Sequence, residues 1–181
     1  ELEVGVCAVG LNFRDVLNVL GQYPGDPGPP GGDCSGRVAA AGGSISHVPN
    51  GASVYGIGYA PLASSARADG RLLGWRPRLV SFEGACTLPT VWTTVHSAFG
   101  HARLCGAQRV VLQAAAGGVG LVGMEYGTWL CARALGTAGK PQKHLVLLAR
   151  GASQRASSRD GAALAYGLGR LRAGGCFKHA I

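Results

Sequence analysis

Apolar positions change period along the chain, and the changes mark the elements. LEVGVCAVGL, residues 2–11, alternates weakly, as a half-buried strand does. NFRDVLNVLG then sets Phe13, Val16, Leu17 and Leu20 at i, i+3, i+4 and i+7. That spacing predicts one buried helical face, with Asn12 fitting an N-cap and Gly21 a stop. YPGDPGPPGGD is too rich in Pro and Gly for helix or central strand. SGRVAAAGG and NGASVYGIG predict further strands, with a turn at Asn50-Gly51, so residues 1–60 read as a mostly β unit. Residues 61–80 are Arg-rich and show no pattern that assigns them.

From Ser81 the period becomes helical. Ser81 is a capping residue, Glu83 lies in the first turn, and Pro89 breaks or kinks the run. Beyond it Val91, Val95, Ala98, Phe99 and Ala102 form a second helical face. Arg109-Val-Val-Leu is a short apolar strand ending in a glycine turn. Helices are predicted over about 119–135, 141–150 and 161–173, with the short segment ASQRASS between the last two. Strand, turn and helix repeating in this way predicts a parallel α/β sheet.

The 181 residues suit one ordinary domain or two small ones. With 47% hydrophobic and 14% charged residues, a packed core is expected rather than disorder. Glycine is one residue in six (31 of 181), but no G-X-Y period runs through it, which excludes collagen. No apolar run approaches the roughly 20 residues that span a bilayer, so no membrane role is expected. The first residues carry neither an initiator Met nor a secretory layout, and they read as the middle of a strand, so a piece of a longer polypeptide is expected. Cysteines at 7, 34, 86, 105, 131 and 176 are too far apart for a CxxC zinc site, and buried thiols in a reducing cytoplasm are expected. The net charge of +8 is uneven: residues 61–181 carry fifteen of the seventeen basic side chains. These are scattered singly and not interleaved with aromatics, so an anionic cofactor or a solvated basic face is expected rather than nucleic acid.

The chemistry concentrates in RVVLQAAAGGVGLVGM. Ala115, Gly117 and Gly120 take the three glycine positions of the dinucleotide fingerprint, with Gly118 and Val119 between the last two. The middle glycine lets the backbone approach a pyrophosphate, and the last permits close helix–strand packing. The helix start that follows presents free N–H groups to the anion. A purely structural turn is the alternative. A carboxylate for the ribose of NAD is expected some 20 residues on, yet no Asp or Glu lies between Glu125 and Asp160. Lys140 and Lys143 fall in that stretch instead. They suit a 2′-phosphate, so NADPH is the expected cofactor, against the alternative of two solvated lysines.

The chain resembles the enoylreductase domain of type I polyketide synthases, in the zinc-independent medium-chain dehydrogenase/reductase superfamily with the quinone oxidoreductases as relatives. The likeness rests on AVGLNFRDVLNVLGQYPGDPG, GGDCSGRVAAAG, TLPTVWTTVHSAF, AAAGGVG and TAGKPQKHLVLLARGASQRASSRD. It implies an α/β architecture: a partial GroES-like β domain over residues 1–80, followed by a truncated Rossmann-type NADPH-binding domain over 81–181. It implies reduction of an α,β-unsaturated acyl thioester on an acyl carrier protein, beside the other modules of a synthase. A non-catalytic remnant of such a domain and a quinone reductase are the alternatives.

The resemblance also implies roles for single residues. Asn12 and Thr94 match positions facing the nicotinamide. Tyr23 matches a tyrosine linked to α-carbon protonation, and Lys143 a second proton donor near the cofactor; an enolate needs a nearby acid or ammonium. Packing of Tyr23 beside Pro24 is the alternative for that residue. Metal-dependent relatives have Gly-His-Glu where this chain has Gly32-Asp33-Cys34, so no metal is expected. An acidic partner after the Ser-Ser-Arg triplet falls by register on Ala162, with Asp160 two residues earlier. ARALG runs straight into TAGKPQK, so a shortened or deleted second Rossmann strand is expected, and the chain stops where a fourth strand should begin.

Overall fold

A computed structural model describes residues 1–43, 47–173 and 177–180 and divides the chain into two compact units, Glu1–Thr90 and Val91–Ile181. Cys176, one of the expected buried thiols, lies outside the described residues.

The first unit is an antiparallel sheet of β1 (Leu2–Gly10), β2 (Asp33–Ala41), β3 (Ser53–Ile57), β4 (Ser65–Ala68) and β5 (Leu73–Trp75) in the order β4-β1-β2-β3-β5. Its core is Leu2, Val4, Val38, Val54 and Ala68 with Val48 and Ala52. The segment that sequence left unassigned supplies two of the strands. In β4, Ala66 and Ala68 are buried while Ser65 and Arg67 are exposed, a period of two too short and too small-sided to stand out.

Helix α1 (Phe13–Val19) forms where expected, but its packing is reversed. Phe13, Val16 and Leu20 are exposed, and the fully buried residue is Asp15. The polar side chains of α1 hold the Pro/Gly loop instead. Asp15 Oδ1 accepts from the Gly31 N–H at 2.8 Å, Asn18 Nδ2 donates to the Gly28 carbonyl at 2.8 Å, and Arg14 donates to the Pro27 carbonyl. The apolar stripe found the helix without finding its partner.

Helix α2 (Phe82–Ala85), capped by Ser81, also belongs to the first unit. The Ser35 hydroxyl donates to the Phe82 carbonyl at 2.6 Å, and Asp33 accepts from Thr90. The division therefore falls after Thr90, ten residues beyond the expected boundary at 80. Helix α3 (Pro89–His101) begins at the proline that interrupts the helical run.

The second unit holds a parallel sheet of β6 (Arg109–Leu112), β7 (Arg133–Ala138), β8 (Gln154–Ser157) and β9 (Phe177–Ala180) in the order β8-β7-β6-β9. Helices α4 (Gly118–Trp129), α5 (Pro141–Ala149) and α6 (Gly161–Arg172) connect the strands. This is the Rossmann order, in which the chain reverses direction beside β6. All four β6 residues are buried. Val110 and Leu112 face a core with Val95, Phe99 and Met124, while Val111 joins Leu135, Ala156 and Leu171. A short uninterrupted apolar run is what a strand covered on both sides requires.

The second parallel strand is not deleted: β7 is six residues long and pairs with β6 and β8. The helix expected to reach residue 135 stops at Trp129, and Cys131, at φ 57°, turns the chain out of it. β7 reads as RALGTA rather than a β-branched run because its neighbours leave no room. A Cβ on Gly136 would stand 3.0 Å from Leu147 and 3.2 Å from Ala115. The cysteine expectation is corrected too: Cys34 and Cys86 are buried, but Cys7, Cys105 and Cys131 are exposed. No helix among the described residues is long and apolar enough to cross a membrane.

Candidate functional site: the glycine turn and the Asn12–Asp33 pair

In the second unit, the turn after β6 is held by β7. The Ala115 N–H donates to the Thr137 carbonyl at 2.9 Å, and the Ala114 N–H to the Thr137 hydroxyl at 3.2 Å. Thr137 is itself buried. Ala114 sits at φ 48°, a left-handed conformation costing an alanine about 1 kcal/mol. The turn tightens through the Gly117 N–H to the Ala114 carbonyl at 2.8 Å, and Gly117 is the N-cap of α4.

The three fingerprint positions differ in kind. Ala115 is fully buried, and Gly117 lies exposed at the turn's rim. A Cβ at Gly120 would collide with the Ala115 backbone, so only glycine lets α4 descend onto the strand end. Gly118 is exposed and Val119 half-buried, both in the first turn of α4, where backbone N–H groups have no partner within the helix.

A cleft of about 220 Å³ opens beside this turn. Gly117 and Gly139 form part of its wall, and Lys140, Lys143, Ser158 and Arg159 line it. Lys140 is the N-cap of α5, and Lys143 lies one turn further on. Sequence reasoning named the two lysines but passed over Ser158 and Arg159, although both stand in the Ser-Ser-Arg triplet. A Cβ on Gly139 would sit 3.2 Å from Arg159 Nε and 3.3 Å from Ser158 Oγ, which shows how closely β7 and β8 end together. Asp160 does not enter this group. Its carboxylate accepts the N–H groups of Ala162 and Ala163 at 2.9 and 3.0 Å, capping α6. Three cations, a hydroxyl and an open helix start, with no carboxylate among the lining residues, form a site for an anion with several phosphates. Thr94 is exposed on α3 of the same unit.

In the first unit, Tyr23 is half-buried on the loop that α1 anchors. Asn12 precedes α1, and its N–H donates to Asp15 Oδ2 at 2.8 Å. Its side-chain Nδ2 donates to Asp33 Oδ2 at 3.1 Å. Asp33 is only 2% exposed. Its two oxygens also take the Thr90 N–H, at 3.2 Å each, and Oδ1 takes the Thr90 hydroxyl at 2.6 Å. The neighbouring Cys34 thiol is pushed up to about 11, first by burial and then by the Asp33 charge, so it stays protonated at neutral pH. Burial also raises the Cys86 thiol.

No family model matches the chain. It is 39% identical over 163 residues to the erythronolide synthase EryA2 of Saccharopolyspora erythraea, a match covering 88% of this chain and 4% of that protein. The solved enoyl reductase CurK superposes with a TM-score of 0.87 at 30% identity, covering 97% of this chain and 56% of that one. The Escherichia coli quinone oxidoreductase, solved in complex with NADPH, gives 0.82 at 27% identity, covering 96% and 54%. The chain thus spans a small part of the synthase and about half of each solved enzyme. On this sequence likeness and this fold, the chain belongs to the enoylreductase family of polyketide synthases, within the medium-chain dehydrogenase/reductase superfamily that also holds the quinone oxidoreductases.

Proposed function

We propose that the chain is the NADPH-dependent enoylreductase part of a polyketide synthase, acting on an α,β-unsaturated acyl thioester borne by an acyl carrier protein. The observation that carries this reading is the cleft of Lys140, Lys143, Ser158 and Arg159 beside the Gly117 turn. The first-turn N–H groups of α4 would hold the pyrophosphate, and the lysines and arginine the 2′-phosphate. Bound NADPH would supply a hydride to the β-carbon of the thioester. The chain's own residues would then hold and deliver the proton. The Tyr23 phenol would donate it to the α-carbon of the resulting enolate, whereas Lys143, which lines the phosphate cleft, would hold the cofactor. Asn12 and Thr94 would orient the nicotinamide. A cytoplasmic location, with the other domains of a synthase as partners, belongs to the same reading.

A quinone oxidoreductase activity is the second reading, favoured by the likeness to the Escherichia coli enzyme. The two separate on substrate. NADPH fluorescence should titrate on adding the chain, and NADPH should be consumed faster with a crotonyl thioester than with a quinone. The reverse ranking would favour the second reading. No binding at millimolar NADPH would overturn both.

A further inference from the structure

Two successive N–H groups at the end of β6 go to one residue. Ala114 donates to the Thr137 hydroxyl at 3.2 Å and Ala115 to the Thr137 carbonyl at 2.9 Å. Successive N–H groups of an extended strand point to opposite edges, so the pair can reach the same residue only where the backbone reverses between them. Ala114 makes that reversal, at φ 48°. A left-handed alanine persists only where its surroundings hold it there. Its carbonyl in turn accepts the Gly117 N–H at 2.8 Å, and a Cβ at Gly120 would stand 2.7 Å from the same oxygen. The start of α4 therefore rests on Ala114, and Ala114 itself lines the cleft.

We infer that Thr137 is a positioning residue for the dinucleotide turn: by accepting the Ala114 N–H, its hydroxyl holds Ala114 left-handed and so fixes the first turn of α4, whose N–H groups meet the pyrophosphate. Thr137 is buried and forms no part of the cleft wall, so it acts through Ala114. The inference rests on the NADPH reading and adds to it the side chain that shapes the pyrophosphate half of the site. Two consequences separate this role from plain packing. The pyrophosphate is common to NADPH and NADH, so loss of the hydroxyl costs both alike, unlike loss of a lysine that holds the 2′-phosphate. Glycine adopts a positive φ without a Cβ penalty, so a glycine at position 114 makes the hydroxyl dispensable.

Affinities of the chain for NADPH and NADH are measured by fluorescence titration, with thermal melting to establish that each variant is folded. Thr137→Val keeps the shape of the side chain and removes the hydroxyl. It should weaken NADPH and NADH by the same factor of about three to ten, the range of one hydrogen bond. Thr137→Ser, which keeps the hydroxyl, should bind both within twofold of wild type. The double variant Ala114→Gly/Thr137→Val should recover to within twofold of Ala114→Gly alone. A side chain that only packs would lower the melting temperature of Thr137→Val and leave these affinities unmoved.

A second readout needs neither variant nor cofactor. Ala114 is exposed, yet its N–H is taken by Thr137, so in the cofactor-free wild-type chain this amide should exchange slowly with solvent. Amide exchange decides the matter if Thr137→Val fails to fold. A freely exchanging Ala114 amide, affinities of folded Thr137→Val within twofold of wild type, or a double variant that binds no better than Thr137→Val overturns the inference while leaving the cofactor reading in place. Failure of the wild-type chain to bind either dinucleotide overturns the cofactor reading and this inference with it.

Discussion

Gly117 and Gly120 look equivalent in a motif but do different work in the turn. A Cβ at Gly117 would meet the Ala114 carbonyl at 3.3 Å, close but facing open space, whereas at Gly120 it would land on the Ala115 backbone. Gly117→Val should therefore fold with little loss of stability and lose NADPH binding at least a hundredfold, because the branched side chain stands where the pyrophosphate approaches. Gly120→Val should instead force α4 off the strand end and destabilise the chain by about 2–4 kcal/mol, the range of an overpacked or strained core. Thermal melting and NADPH titration of the two variants separate these outcomes, and equal effects on both readouts would refute the distinction. The spacing in AAAGGVG was legible in the sequence. Which glycine serves the ligand and which serves the fold was not, because that depends on how far a side chain would reach into a neighbouring strand.

At the scale of elements, the period of apolar residues located helices well and their surroundings poorly. The run Phe13, Val16, Leu17, Leu20 marks a real helix, yet the buried contact of α1 is the Asp15 carboxylate. A carboxylate that accepts two backbone N–H groups leaves no periodic trace. β7 escaped notice for the opposite reason: Ala, Gly and Thr are small where α5 and the glycine turn crowd the sheet, and smallness does not announce a strand. Asp160 tests the same point. It stands two residues before the register position of an acidic partner, but both its bonds go to the first turn of α6. Asp160→Ala should cost about 1 kcal/mol of stability, as loss of an N-cap does, and leave NADPH affinity within twofold. A change in affinity without a change in melting would instead place Asp160 in the cofactor site.

Charge acquires meaning only at the scale of the whole chain. The first unit carries six basic and seven acidic side chains, the second eleven basic and two acidic, so the net +8 belongs to the cofactor half. Composition alone could not separate a nucleic-acid surface from an anionic cofactor, because scattered arginines carry no address. The fold supplies one, by ending β6, β7 and β8 where Lys140, Lys143 and Arg159 share a cleft. Cations at a partly exposed site are screened by salt over about 8–10 Å at physiological strength. NADPH, with its extra phosphate, would meet all three, whereas NADH would meet chiefly the helix start and the turn. Raising salt from 50 to 500 mM should therefore weaken NADPH several-fold and NADH much less, so that the preference between them narrows. Lys140→Ala should narrow it at low salt in the same way. A preference that does not respond to salt would mean that shape rather than charge selects the cofactor, and the lysines would then be a solvated face.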